Sequence, residues 1–422
     1  MYPLAKVEGG MLLFTLGLFG VGWIANNPAI WQPLLVILAL TLAISLRFST
    51  KFRGYQFTAW IIAVVTAAMI YPENFLHVGG FDMRNKWVML IAIQLVMFGM
   101  GTQMSLKDFA GVAKAPRGVL VGIVCHFSVM PLVGLALTKM FRFEPEIAAG
   151  VILIGSCSSG LASNVMAYIA KSNLALSVTV TAITTMIAPI MTPLWMKLLA
   201  GTMVEVHFFN MMVEIIKIVL VPIGAALIHD HLKHGTHGSR KILHGLAAFS
   251  VAWLAWLPLG GWEFLQAHFA GDALTALGLF GFLLGAVVAG LVYHWLTRGF
   301  TRLDEFMPRA SMAGIVYVTA MTTAAGRDNL LKVGGLLFLA SALHNSAGYC
   351  FGYFLSRASG LDKNSARSVA FEVGLQNGGM ASGLANAMGK LATVGLAAAI
   401  FIPWMNISGS VLANYWQKKP AK

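Results

Sequence analysis

Long apolar runs separated by short polar connections set the pattern of this chain from end to end. A helix that crosses a bilayer needs about 20 apolar residues, within a range of about 17–25. By that rule, spans are predicted near 10–25, 29–46, 56–71, 87–104, 117–139, 146–170 and 174–199. Seven more follow near 208–228, 242–260, 272–296, 310–325, 331–356, 366–389 and 392–415. The first two are short and divided only by Ala25-Asn26-Asn27-Pro28, so a re-entrant hairpin is the alternative there. No polar linker divides the chain, which predicts one membrane domain rather than several soluble ones.

Composition and charge sharpen this pattern. Hydrophobic residues make up 58% of the 422, charged residues only 11%, and the mean hydropathy is +0.76. A soluble domain carries about 25% charged residues, because its surface faces water. The net charge of +13 would suit nucleic acid if it lined one face. Instead it sits in alternate connections: Arg47/Lys51/Arg53, Lys107/Lys114/Arg117, Lys171, Lys233/Arg240/Lys241, Arg298/Arg302/Arg309, Arg357/Lys363/Arg367 and the C-terminal lysines. The intervening connections carry Glu73, Asp82, Glu144, Glu146, Glu205, Glu263 and Asp272. Positive charge is retained on the cytoplasmic side, so both termini are expected there, with an even number of spans and no nucleic-acid partner. The start, MYPLAKVEGG, lacks a basic signal-peptide region, so the first run is read as a retained span. Cys125, Cys157 and Cys350 lie within apolar runs and are read as packing residues rather than disulfide partners.

The chain also repeats itself. His126-Phe127-Ser128 is echoed by His344-Asn345-Ser346, and Gly160-Leu161-Ala162-Ser163 by Gly379-Met380-Ala381-Ser382, at offsets that agree within one residue. An odd number of predicted spans separates the copies, so they would be inverted in the bilayer, as in many secondary transporters. Each copy holds one hydrophobic segment interrupted by small and polar residues, Gly155 to Asn164 and Glu372 to Gly379. Such a segment can unwind, and unwound backbone is tolerated in a membrane only where it lines a cavity or binds something. Half-helix N-termini favour an anion and freed carbonyls a cation.

Glu372 is the sharpest single residue. A carboxylate at the centre of a span costs about 2.5–3.5 kcal/mol on insertion scales, and by default it is functional. The bland alternative is a solvated charge near the helix end, close to Arg367. Carboxylate, amide, hydroxyl and carbonyl oxygens together suit a hard cation. The histidines 229, 231, 234, 237 and 244 cluster with Asp230, but their spacing fits no closed zinc template and a solvated basic loop is the reading adopted. Glu214 and Lys217 are spaced to pair on one helix face.

At these residues the chain resembles the bile acid/sodium symporter family, bacterial type. The motifs are GSCSSGLASNVMAYIAKSNLALSVTVTAI, ALHNSAGYCFGYFLSR, FEVGLQNGG and MNISGS, and the likeness runs from about residue 56 to the end apart from an insertion near 230–305. The resemblance implies an all-α, inverted-repeat secondary transporter of ten spans. Two crossed discontinuous helices would lie in its core domain, beside a smaller panel domain. About four extra spans would be added here. The division expected is 1–55 for extra N-terminal spans, 56–230 for the first repeat, 231–308 for an inserted loop with two spans, and 309–422 for the rest of the second repeat.

The resemblance also implies symport of a small organic anion with sodium across the bacterial cytoplasmic membrane by alternating access. A monocarboxylate, a pantoate-like acid and a bile-acid-like substrate all fit. One sodium would be held by Ser163, Asn164, Ser177, Thr181 and Glu372. A second would use Glu372, Gln376 and the carbonyls of Val373 and Leu375. The substrate would lie near Asn377 and Asn406, with Leu161 and Met405 close by. Two departures bear on this. His126 stands where many relatives supply a glutamine to the second sodium, which leaves one or two ions, a proton-sensitive site, or a core histidine as readings. Leu161 and Met405 stand where bile-acid-binding relatives can have threonine and histidine. Membrane lipid is an expected partner, and the extra spans could widen the panel or form an oligomer contact. The alternatives are a proton-coupled anion carrier and a membrane-embedded enzyme or sensor using the same cavity; neither HExxH nor GxSxG occurs. Cys157 also resembles the thiol of arsenite exporters, but it is a single thiol.

Overall fold

The computed structural model describes residues 20, 27–48 and 55–419, and the span expected near 10–25 lies almost wholly outside them. The described helices are α1 Pro28–Ser45, α2 Gln56–Ile70, α3 Lys86–Gly101, α4 Leu106–Lys114, α5 Pro116–Phe141 and α6 Pro145–Ser156. They continue with α7 Ala162–Ile169, α8 Leu174–Trp195, α9 Phe208–Ile215, α10 Val221–His234, α11 His237–Trp256 and α12 Gly261–His268. The last six are α13 Gly271–Gly299, α14 Leu303–Ala325, α15 Arg327–Ala358, α16 Lys363–Gly374, α17 Gly378–Ala387 and α18 Gly395–Gln417. A small hairpin, His77–Val78 with Phe81–Asp82, joins α2 to α3. Eight rods among the described residues are long and apolar enough to cross a membrane. In one of them, a π-helical turn at Ile216–Leu220 joins α9 to α10.

Local chemistry marks the ends. Proline opens α1, α5 and α6, where its missing N–H costs nothing. Asn173 caps α8, Asp362 caps α16 and Asn377 caps α17, each accepting a main-chain N–H that the helix leaves free.

The helices form two bodies. In the panel, α14 packs on α2 and α3, α10 on α3 and α13, α11 on α13, and α1 on α2. In the core, α5 packs on α6 and α15, and α16 on α15, α5 and α8. The repeat is visible in chain order. Each copy runs long helix, broken helix, long helix: α5, α6–α7, α8, then α15, α16–α17, α18. The fold is thus all-α, with an inverted repeat and two crossed discontinuous helices. The basic histidine-rich stretch is not a loop: α10 runs to His234 and α11 starts at His237. His229 is buried there and lies 3.3 Å from Asp304.

Candidate functional site

The two breaks meet. Ser159 and Gln376 form an antiparallel bridge. The Asn377 N–H donates to the Ser158 carbonyl at 2.8 Å, and the Gly160 N–H donates to the Leu375 carbonyl at 3.1 Å. Backbone that leaves one broken helix is therefore satisfied by the other, which is how extended chain survives inside an apolar bundle. Gly160 is needed here, since a Cβ at that position would stand 2.6 Å from the Gln376 carbonyl oxygen.

Beside the crossing lies Glu372, fully buried. One carboxylate oxygen accepts a short hydrogen bond from the Ser177 hydroxyl, the other a bond of 2.8 Å from Thr181. The Asn164 side-chain oxygen faces the same two hydroxyls, at 2.9 Å and 3.2 Å. Ser163 completes the group, 3.3 Å from Thr181 and donating to the Gly160 carbonyl at 2.8 Å. Five of the expected cation ligands, Ser163, Asn164, Ser177, Thr181 and Glu372, are thus brought together by α7, α8 and α16. Among the described residues Glu372 makes no ion pair, so only neutral oxygens surround its carboxylate. A buried charge in that position calls for a counter-cation.

The second expected set is arranged differently. The Val373 carbonyl accepts from the side-chain amide of Gln376 at 2.8 Å. The Leu375 carbonyl accepts from Gly160 and, at 3.3 Å, from the Ser159 hydroxyl. The Gln376 side-chain oxygen is buried without a partner. His126 lies with Nδ1 2.9 Å from the Glu372 carbonyl and Nε2 2.8 Å from the Cys157 carbonyl. Sequence reasoning missed Asn345, which donates to the freed Gly374 carbonyl at 2.8 Å. Its place in His344-Asn345-Ser346, the second copy of the His-x-Ser repeat, was the available signal.

On the panel side of the crossing is a cavity of about 390 Å³. Asn377, Asn406, Leu161 and Met405 all line it, as do Gln376 and the start of α17 at Gly378 and Gly379. The panel contributes Phe57, Met100, Gln103, Ser311, Met312 and Ile315, none of which the sequence singled out. A larger groove of about 660 Å³ runs between α3, α10, α11 and α13, but its walls are apolar apart from Gln94 and the Trp262 ring nitrogen. Cys125 and Cys157 are buried free thiols, and Cys350 is exposed.

Two inverted broken helices, crossed beside a buried carboxylate and a panel-side cavity, define an ion-coupled secondary transporter. The comparisons with known proteins agree. The profile of the sodium bile acid symporter family matches residues 90–259. An uncharacterized sodium-dependent transporter of Bacillus subtilis, YocS, is 30% identical over 89% of this chain and 95% of its own length. A probable chloroplastic sodium/metabolite cotransporter of Arabidopsis thaliana is 26% identical, over 87% of this chain and 74% of its own. The human ileal sodium/bile acid cotransporter is 28% identical, over 74% and 72%. The chain belongs to the sodium bile acid symporter family, and it is a sodium-dependent, multi-pass membrane transporter. In fold alone it is similar to the sodium proton antiporter MjNhaP1 of Methanocaldococcus jannaschii, with a TM-score of 0.50 at 13% identity over 98% of both chains.

Proposed function

We propose that this protein carries a small organic anion together with sodium across a bacterial cytoplasmic membrane, both termini lying inside. The observation that carries the reading is the Glu372 carboxylate, ringed by Ser163, Asn164, Ser177 and Thr181, beside the cavity that Asn377 and Asn406 line. Sodium would take the hydroxyl, amide and carboxylate oxygens. The anion would meet the N-terminus of α17, whose partial positive charge favours it, and the amide groups of Asn377 and Asn406. A cavity of this size is near the lower end of ligand pockets, which favours a short carboxylate over a bulky sterol.

Alternating access has a physical basis in the same region. Beyond the cavity, Ile93, Val96, Val318 and Ile402 close around Gly379 and Ser382, leaving about 10 Å³. Past that seal a cleft of about 290 Å³ opens between α9 and the far end of α17, lined by Glu205, His207, Glu214 and Lys390. Rocking of the core against the panel would open the seal and close the cavity mouth. Residues 56–230 would form the first repeat and 309–422 the remainder of the second, with 1–55 and 231–308 as the additions.

The test is uptake of radiolabelled short carboxylates into proteoliposomes under an inward sodium gradient. Saturable accumulation that collapses with the gradient, and counterflow with unlabelled anion, are expected. Uptake indifferent to sodium but driven by a proton gradient would overturn the coupling.

A further inference from the structure

The His126 imidazole is a buried group with no task in the transport proposed above. It is fully buried on α5 and holds the edge of the Phe127 ring at 4.9 Å. Its two nitrogens lie against main-chain carbonyls from different broken helices, Cys157 at the end of α6 and Glu372 in α16. Carbonyls freed near helix breaks can bind a hard cation. Here two such carbonyls face opposite edges of a side chain of the protein itself. A neutral imidazole donates from one nitrogen, and a ring that donates from both is a cation. In either form the ring fills the space between the two carbonyls.

The other oxygens that a second ion would need are committed as well. The Val373 carbonyl is taken by Gln376, that of Gly374 by Asn345, and that of Leu375 by Gly160 and Ser159. Both carboxylate oxygens of Glu372 turn toward Ser177 and Thr181, the ligands assigned to the first ion. Of these oxygens, the one on the Gln376 side chain stays buried without a partner, and one oxygen does not make a hard-cation site, which takes several.

We infer that His126 stands in for a second sodium, tying the two breaks together through Cys157 and Glu372, so that this carrier binds one sodium per cycle. The inference rests on the sodium symport proposed above and fixes its stoichiometry. One sodium with one monovalent anion moves no net charge, so membrane voltage does not drive uptake.

The experiment is equilibrium binding of radioactive sodium to the purified full-length protein, for wild type and His126→Gln. Glutamine vacates the ring's space and offers an amide oxygen as a hard ligand. One ion per wild-type chain with hyperbolic saturation, and two per His126→Gln chain, is the expected result. Two ions on the wild type overturn the inference and leave sodium symport standing. No ion on the wild type overturns both. A His126→Gln protein that still holds one ion shows that the ring is not what keeps the second one out, and this too overturns the inference. Should that variant not fold, the wild-type count decides alone.

Discussion

Ser159 and Gln376, from opposite halves of the chain, pair as an antiparallel bridge at the point where the two broken helices cross. The pairing makes the breaks one mechanical unit, since each supplies hydrogen-bond partners that the other's unwound backbone lacks. The Glu372 cluster and the cavity both adjoin that unit.

Gly160→Ala tests the unit itself. Its Cβ would meet the Gln376 carbonyl oxygen at 2.6 Å, and backbone cannot swing aside as a side chain can. Overpacking of this kind costs about 1–3 kcal/mol. The melting temperature should fall, and sodium should no longer raise it. Gly334→Ala, on α15 with nothing within 4 Å of its Cβ, should be neutral or stabilising by up to about 1 kcal/mol.

Thr181→Ala removes a hydroxyl that donates to Glu372 at 2.8 Å and leaves a carboxylate oxygen unmet. A hydrogen bond to a charged group is worth about 1.5–3 kcal/mol, and about 1.4 kcal/mol is tenfold in affinity. Sodium titration should show affinity weakened by about tenfold or more, with Thr181→Ser close to wild type. Equal affinity in Thr181→Ala would remove this hydroxyl from the site.

Asn377 has two roles that substitution separates. Its side-chain oxygen caps α17 by accepting from the Met380 N–H at 3.0 Å, and its amide lines the cavity. Asn377→Asp keeps the cap and sets a negative charge against the anion, so stability should hold while uptake is lost. Asn377→Ala should also lose about 1 kcal/mol of stability with the cap. Unchanged uptake in Asn377→Asp would place the anion elsewhere.

Much of this architecture could be read from the chain. Apolar runs located the rods, and the doubled Gly-Leu-Ala-Ser and Gly-Met-Ala-Ser segments located both breaks, because a glycine-rich polar interruption has few physical uses inside a membrane. Glu372 stood out for the same reason. What stayed hidden is what depends on tertiary contact. Nothing in the sequence says that Val373 is answered by the amide of Gln376, or that Phe57, Gln103 and Ser311 reach the cavity from the panel. The stretch from 229 to 244 misled because its histidines and lysines read as a loop, whereas the helix continues and buries His229 against Asp304.

Asp304 offers a pH test outside the spanning run of α14. Partial burial opposes its ionisation, but hydrogen bonds from Lys233 and Tyr293, both at 2.9 Å, with the charges of His229 and Lys233, hold its carboxyl below the ordinary value of 3.8. A carboxyl lowered in the folded state stabilises fully above its unfolded value, and the effect is lost as pH falls through the folded one. Wild type should therefore melt above Asp304→Asn at pH 7, and the gap should shrink below about pH 4. A gap independent of pH would show that charge at Asp304 is not what holds α10 to α14.

The most direct measurement is the melting temperature of the purified protein in sodium against choline, for wild type and Glu372→Gln. A ligand that binds only the folded state adds about 2.7 kcal/mol at a concentration 100 times its dissociation constant. Sodium should raise the wild-type melting temperature and leave that of Glu372→Gln where choline leaves it. An equal rise in both proteins, or none in the wild type, would contradict a sodium site built on Glu372.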